Sequence, residues 1–248
     1  MPRHGGIRLI AVLTTLGLSG CSALDARPGL GAALRDSVRA PSFWIPLAGA
    51  ALVAAADVDS DWSDHAIDEQ PLFGEDAQDL SDKLRDLSTV TALTTALFAP
   101  ADDARARGER LAVNLGVMLT EGAITTGLKE ISGRERPDQL GDRSFPSGHA
   151  AQAASRYSLT AHNLRVSDWQ GNRRWLLQGG AIGLSAATGW ARVEASKHFP
   201  SDVLVGLALG NLLANTANSW WLQRGSGPAV SFRPVADGVV AEIRFPLP

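Results

Sequence analysis

Apolar residues in this chain fall into blocks with helical spacing, separated by short breaks rich in Gly, Pro and charge. Phe43 to Ala56 is an Ala-rich apolar helix candidate. Residues 75 to 99 read as one long helix or two short ones. There Asp79, Asp82, Lys83, Arg85 and Asp86 face water, and Val90 to Phe98 is apolar. Pro100 and the charged run Asp102 to Arg110 make an exposed connection. Leu111 to Leu128 is the next helix, where Gly116, Gly122 and Gly127 would allow close contact with a neighbour. Residues 149 to 164, 175 to 190 and 202 to 222 give three more. Strand-like alternation and internal repeats are absent through residue 224. The pattern therefore predicts an all-α bundle of about six helices over residues 41 to 224.

Both ends depart from that pattern. Residues 1 to 20 carry a basic start (Arg3, His4, Arg8) and an apolar run, Ile7 to Leu18, too short to span a bilayer comfortably. This is the layout of a secretory signal. It ends in Leu18-Ser19-Gly20-Cys21, which resembles the lipobox of bacterial lipoproteins. That resemblance implies acylation of Cys21, a stable anchor and a periplasm-facing protein in the bacterial envelope. Ser22 follows rather than Asp, so the outer membrane is the expected destination in a cell with two membranes. Residues 21 to 40 are polar and mixed, a tether or short helix. At the other end, residues 225 to 248 predict a short C-terminal β-hairpin around Ala236-Asp237-Gly238.

Composition narrows the class. Hydrophobic residues are 45% and charged residues 20%, which fits a globular core. The net charge of −3 gives no general attraction to nucleic acid. One cysteine excludes an intramolecular disulfide. The acidic stretch Asp57-Val58-Asp59-Ser60-Asp61, with Asp64, His65 and Asp68, has part of the spacing of a calcium loop. Trp62 stands where such a loop needs Gly, so a solvated acidic loop is expected. Val203 to Gln223 carries no charge and is long enough to cross a membrane, with Trp220 and Trp221 placed like an interfacial belt. Asn114 and Glu121 in the neighbouring apolar helix, and the mean hydropathy of −0.01, favour a lipid-anchored bundle over integral spans.

Three stretches carry candidate chemistry. In Arg192-Val193-Glu194-Ala195-Ser196-Lys197-His198-Phe199-Pro200-Ser201-Asp202, His198 and Asp202 stand one helical turn apart. A carboxylate on one ring nitrogen fixes the tautomer and leaves the other as a nucleophile or base. Lys129 and Arg136 flank a loop that would bring them side by side. Ser144-Phe145-Pro146-Ser147-Gly148-His149 leads into a helix, whose free N–H groups and dipole suit an anion. Taken singly, each stretch is equally a helix cap or a pair of surface cations. Together, Lys129, Arg136 and Arg192 supply positive charge, Ser147 and Gly148 neutral donors, and His149 and His198 two imidazoles. Such a set would hold a tetrahedral oxyanion, with one His attacking phosphorus and the other protonating the leaving oxygen.

Lys129-x6-Arg136-Pro137, Pro146-Ser147-Gly148-His149 and Arg192-x5-His198-x3-Asp202 resemble the three signature motifs of the type 2 phosphatidic acid phosphatase (PAP2) family. That superfamily also holds bacterial acid phosphatases and vanadium haloperoxidases. Ala191 stands where many members have Ser, which removes at most one hydroxyl donor. The resemblance implies that His198 attacks the phosphoryl group and Asp202 steadies its ring. His149 would protonate the leaving alcohol and then activate water. Lys129, Arg136, Ser147, the Gly148 amide and Arg192 would hold the phosphate oxygens, with no metal or other cofactor. Vanadate would enter only if the chain were a haloperoxidase, which its short length argues against. A non-enzymatic phosphate-binding lipoprotein would need neither imidazole. The expected substrate is a lipid phosphate, such as phosphatidate, phosphatidylglycerol phosphate or an isoprenyl diphosphate, with soluble phosphomonoesters as the alternative.

Overall fold

The computed structural model describes residues 29–101, 103–165 and 172–222 as one unit, and the strands of residues 229–235 and 238–244 in another. The signal segment, Cys21 and the first part of the expected tether lie outside the described residues. The first unit is a helical bundle: α1 (Leu30–Arg39), α2 (Pro41–Ala55), α3 (Asp59–Glu69), α4 (Ala77–Phe98), α5 (Ala104–Ser132), α6 (Gly148–Arg165), α7 (Asn172–Glu194) and α8 (Pro200–Ala217). A five-residue π turn, Asn218–Leu222, extends α8. In the second unit β1 (Ala229–Val235) pairs antiparallel with β2 (Gly238–Arg244); Asp237 of the expected turn is outside the described residues.

The described residues thus hold eight α-helices rather than about six, and each addition has a local cause. Of the two forms expected for residues 21 to 40, residues 30–39 take the short helix. They form α1, which buries Ala33 and Ser37 and packs along α8. Residues 104–110, expected in an open connection, are the first turns of α5. Asp103 caps α5 by accepting from the Ala106 amide at 2.7 Å, and buried Arg110 donates to the carbonyls of Ala99 and Pro100. The acidic stretch near residue 60 is helix α3, with Asp59 and Asp61 in its first turn, where the helix dipole favours negative charge.

Helix α8 runs through the middle of the bundle and packs on α1, α2, α6 and α7. This explains the charge-free run from Val203: Val203, Gly206, Ala208, Gly210 and Ala214 are buried against protein. Its closest neighbour is α6, and two glycines permit the approach. A Cβ on Gly206 would sit 2.4 Å from the Ser147 carbonyl oxygen, and one on Gly210 would sit 2.1 Å from that of Ala151. The facing surface of α6 is equally small, with Ala150, Ala151 and Ala154 buried. Gly116, Gly122 and Gly127 do not play the part expected of them, since a Cβ on any of the three would meet nothing within 4 Å. They lie on α5, whose Leu119 is 77% exposed.

Overpacking at backbone is costly because neither helix can yield without moving its neighbours. Gly210→Ala should therefore destabilise the fold by roughly 3 kcal/mol, a fall in Tm on the order of 6–12 °C. Gly122→Ala should be neutral or slightly stabilising, since it raises helix propensity in open space. Thermal denaturation of the two variants checks the pair; equal Tm values would contradict the close α6–α8 packing.

Helix α5 is long and apolar enough to cross a membrane, and α1 with α2 would pass the same test as one span bent by 55°. Asn114 and Glu121 of α5 are buried and point inward. Glu121 pairs with Arg156 of α6 at 2.9 Å, and Asn114 accepts from Asn163 at 3.3 Å. Asn114 and Glu121 therefore do not weigh against a membrane-facing surface on α5.

Candidate active site

Two turns and two helix starts bring the predicted residues to one end of the bundle. Helix α5 ends at Gly133, whose φ of 54° caps the helix and sends the chain into the loop that carries Arg134 and Arg136. The loop is pinned by backbone bonds from Ser144 to Arg134, from Asp138 to Ser196 and from Ser147 to the Asp202 carbonyl, at 2.9 to 3.1 Å. Helix α7 ends in a tight turn at Ser196, also at positive φ, and Lys197 bonds Asp138 at 2.8 Å to join the two loops. Helix α8 then starts at Pro200, as its fixed φ favours. The α6–α8 glycine contact brings the start of α6, with Ser147 and His149, against the start of α8.

Lys129, Arg136 and Arg192 lie close enough for each charge to act on the others. Burial, and next to it Arg136, pushes the Lys129 ammonium down to about 8. Burial likewise lowers Arg192 to about 10. Lys129 donates to the Arg143 carbonyl at 2.7 Å, and Arg192 donates to Ser81 Oγ at 3.1 Å. Yet Arg136 Nε, Arg192 Nε and Ser147 Oγ are buried without a hydrogen-bond partner. Unpaired buried donors cost about 1–3 kcal/mol each, and a group of them on and beside mutually close cations suits an oxyanion. Gly148 sits 3.7 Å from Lys129 Cε by its notional Cβ, an ordinary contact that packing alone does not require to be glycine.

His198 is 2% exposed. Burial, followed by the charges of Lys129 and Arg192, holds its imidazole well below the ordinary range, so the ring is neutral at pH 7. Its Nδ1 faces Asp202 Oδ2 at 4.0 Å, too far for the hydrogen bond expected from their spacing. The reason is that Asp202 is already occupied. Its carboxylate accepts from Arg134 at 2.6 Å, from the Ser144 hydroxyl and from the Phe199 amide at 3.0 Å. Arg134 forks to a second carboxylate, Asp59, at 2.7 Å, and stacks over Phe199 at 4.3 Å. Asp59 in turn accepts from the amide and hydroxyl of Ser201. Burial raises the Asp202 carboxyl, with Ser144 and Arg134 opposing.

His149 also has partners that the sequence pattern missed. Its Nε2 lies 2.6 Å from Asp82 and 2.9 Å from Arg85, both on α4. Burial, then Arg192, lowers this imidazole to about 4, while the Asp82 hydrogen bond pulls the other way. Asp82 and Arg85 were expected to face water. Instead Ser81, Asp82 and Arg85 present one side of α4 to the site, at the i and i+4 spacing that places residues on one helix face. The overlooked signal was that spacing. For Arg134 it was a cation inside the gap between Lys129 and Arg136. Cys21 lies outside the described residues.

The site thus joins a buried imidazole, a buried carboxylate and a set of neighbouring cations at one end of a helical bundle, an arrangement that suits an oxyanion. Comparison with known proteins agrees with that class: residues 110–226, just under half of the chain, match the family model of the PAP2 superfamily. Among characterised proteins, a lipid A 1-phosphatase of Porphyromonas gingivalis is 32% identical over 108 residues, 44% of this chain and 22% of the relative. Phospholipid phosphatase 1 of Rattus norvegicus is 36% identical over 85 residues, 33% of this chain and 30% of that protein. The chain thus spans less than a third of the length of these relatives. The fold resembles that of a transmembrane PAP2-type phosphatidylglycerolphosphate phosphatase from Bacillus subtilis. The TM-score is 0.54 at 23% identity, covering 71% of this chain and 92% of that one.

Proposed function

We propose that this protein is a metal-independent phosphatase that hydrolyses phosphomonoesters or diphosphates of lipids through a phosphohistidine on His198. The observation that carries the reading is the convergence of unpartnered buried donors on Arg136, Arg192 and Ser147 with Lys129 and the neutral, buried His198. Relatives named for lipid A and phospholipid phosphatase activity favour a lipid substrate.

With Asp202 on the Nδ1 side, Nε2 of His198 is the attacking nitrogen. It forms the P–N bond as the P–O bond to the alcohol breaks. The leaving oxygen takes its proton from His149. The three cations and Ser147 stabilise the charge that builds on the equatorial oxygens, the work a divalent ion does elsewhere. His149 then takes a proton from water as that oxygen attacks phosphorus, which releases His198 and inorganic phosphate. His149 is neutral in the free protein at pH 7. A phosphate dianion beside Arg192 offsets the charge that opposes its protonation, so substrate itself readies the acid.

The reading places the body in the bacterial envelope, held to a membrane through acylated Cys21 and facing the periplasm. Purified protein assayed on phosphatidate, phosphatidylglycerol phosphate, an isoprenyl diphosphate and p-nitrophenyl phosphate in excess chelator tests the activity. Phosphate release from a lipid substrate supports it. No release from any of them, or release only after a divalent ion is restored, overturns it.

The electrostatics give a pH signature. Lys129 is charged below about 8 and loses its charge as pH rises through that value. An uncharged amine binds phosphate weakly, so kcat/KM should fall above about pH 8. Lys129→Arg keeps its charge throughout and should move that alkaline limb upward by a unit or more. A limb that stays in place in the variant would show that another group sets it.

A further inference from the structure

Helix α4 lies outside the three motifs, yet it closes the site. We infer that Asp82 is a positioning residue for the leaving-group proton: it holds His149 Nε2–H, so that Nδ1 is the ring atom that gives its proton to the departing alcohol. The inference rests on the phosphatase reading above.

The geometry is specific. Asp82 Oδ1 stands 2.6 Å from His149 Nε2, the shortest link between α4 and the site among the described polar contacts of that helix. A carboxylate at that distance accepts from Nε2, which fixes the tautomer and turns Nδ1 into the exchangeable position. Arg85 Nη1 lies 3.2 Å from the same carboxylate oxygen and 2.9 Å from Nε2. A ring nitrogen that donates to Asp82 cannot also accept from Arg85, so Arg85 serves the carboxylate, completing a chain from Arg85 through Asp82 to His149. Asp86 continues it, pairing with Arg85 at 3.0 Å.

The charged groups that act on His149 are Asp82 and Arg85 from α4 and Arg192 from α7. Two are cations that oppose protonation. Asp82 is the single anion among them, so it alone favours the imidazolium that general-acid catalysis needs. Its side chain is 44% exposed, so its replacement leaves the core intact.

Leaving-group chemistry separates this role from a structural one. An alkoxide leaves only with a proton, whereas p-nitrophenolate leaves without one. In Asp82→Asn the ratio of kcat for an alkyl phosphate such as phosphatidate to kcat for p-nitrophenyl phosphate should fall about tenfold or more, whatever loss the two share. The double variant Asp82→Asn/His149→Gln should be no slower on the alkyl phosphate than His149→Gln alone, because Asp82 acts through that ring. An equal loss on both substrates, or additive losses in the double variant, would overturn the role of Asp82. Wild-type protein that turns over neither substrate would instead overturn the phosphatase reading itself.

Discussion

His198→Ala should lose turnover by about 10³-fold or more while still binding phosphate. The ring is the only candidate nucleophile in the proposed chemistry, and no neighbour can replace it. Asp202 is committed to Arg134, Ser144 and the Phe199 amide, and His149 is held by Asp82. The cations proposed to bind the oxyanion are separate residues, so inhibition by inorganic phosphate should stay within about threefold of wild type by the logic of interactions lost only in the transition state. The ring is buried, and its removal costs the backbone contact with Ser144 but strands no side-chain donor on its Nδ1. Steady-state rates with phosphate inhibition constants measure both effects. Near-normal kcat in this variant would remove His198 from the mechanism.

Asp202→Ala should fail in two ways at once. The carboxylate is fully buried and serves as acceptor for three donors from three segments: the loop after α5, the cis Phe145–Pro146 turn region at Ser144, and the start of α8. Stranding the Ser144 hydroxyl and the Phe199 amide should cost about 3 kcal/mol in total. Arg134 keeps Asp59, which limits the loss. Turnover should fall by about 10²-fold, because the phosphorylated His198 is cationic and loses the carboxylate 4.0 Å away. Asp202→Asn separates the two effects. The amide oxygen retains part of the hydrogen bonding, so stability recovers by about half, whereas the missing charge leaves the rate loss in place. Urea unfolding gives the first quantity and kcat the second. A folded Asp202→Ala protein with wild-type kcat would limit this residue to scaffolding.

The sequence made the class of fold and a set of candidate residues readable, because helical period and short motifs are local. Lys129, Arg136, Ser147, Gly148, His149, Arg192, His198 and Asp202 do gather at one end of the bundle. What could not be read was contact between distant segments. Asp59 belonged to an apparently solvated acidic stretch until α3 placed it against Arg134 and Ser201. Asp82 and Arg85 had the polarity of a wet helix face, and only the crossing of α4 over the start of α6 turns them inward. The glycines show the same limit. Gly116 and Gly206 are alike as residues in apolar helices, but one faces open space and the other a carbonyl oxygen. The charge-free run of α8 has the length of a membrane span, and the structure adds that its small residues are buried against other helices, since hydrophobic length does not say what covers a helix.

The most direct measurement is capture of the covalent intermediate. Protein mixed with a ³²P-labelled substrate, quenched in alkaline detergent within its first turnover and digested should yield one labelled peptide. That peptide should contain His198, its label should be stable to base and lost in acid, and it should be missing from His198→Ala. A protein that turns substrate over with no base-stable label, or with label on another residue, would contradict attack by His198 and with it the cradle around phosphorus that the fold assembles.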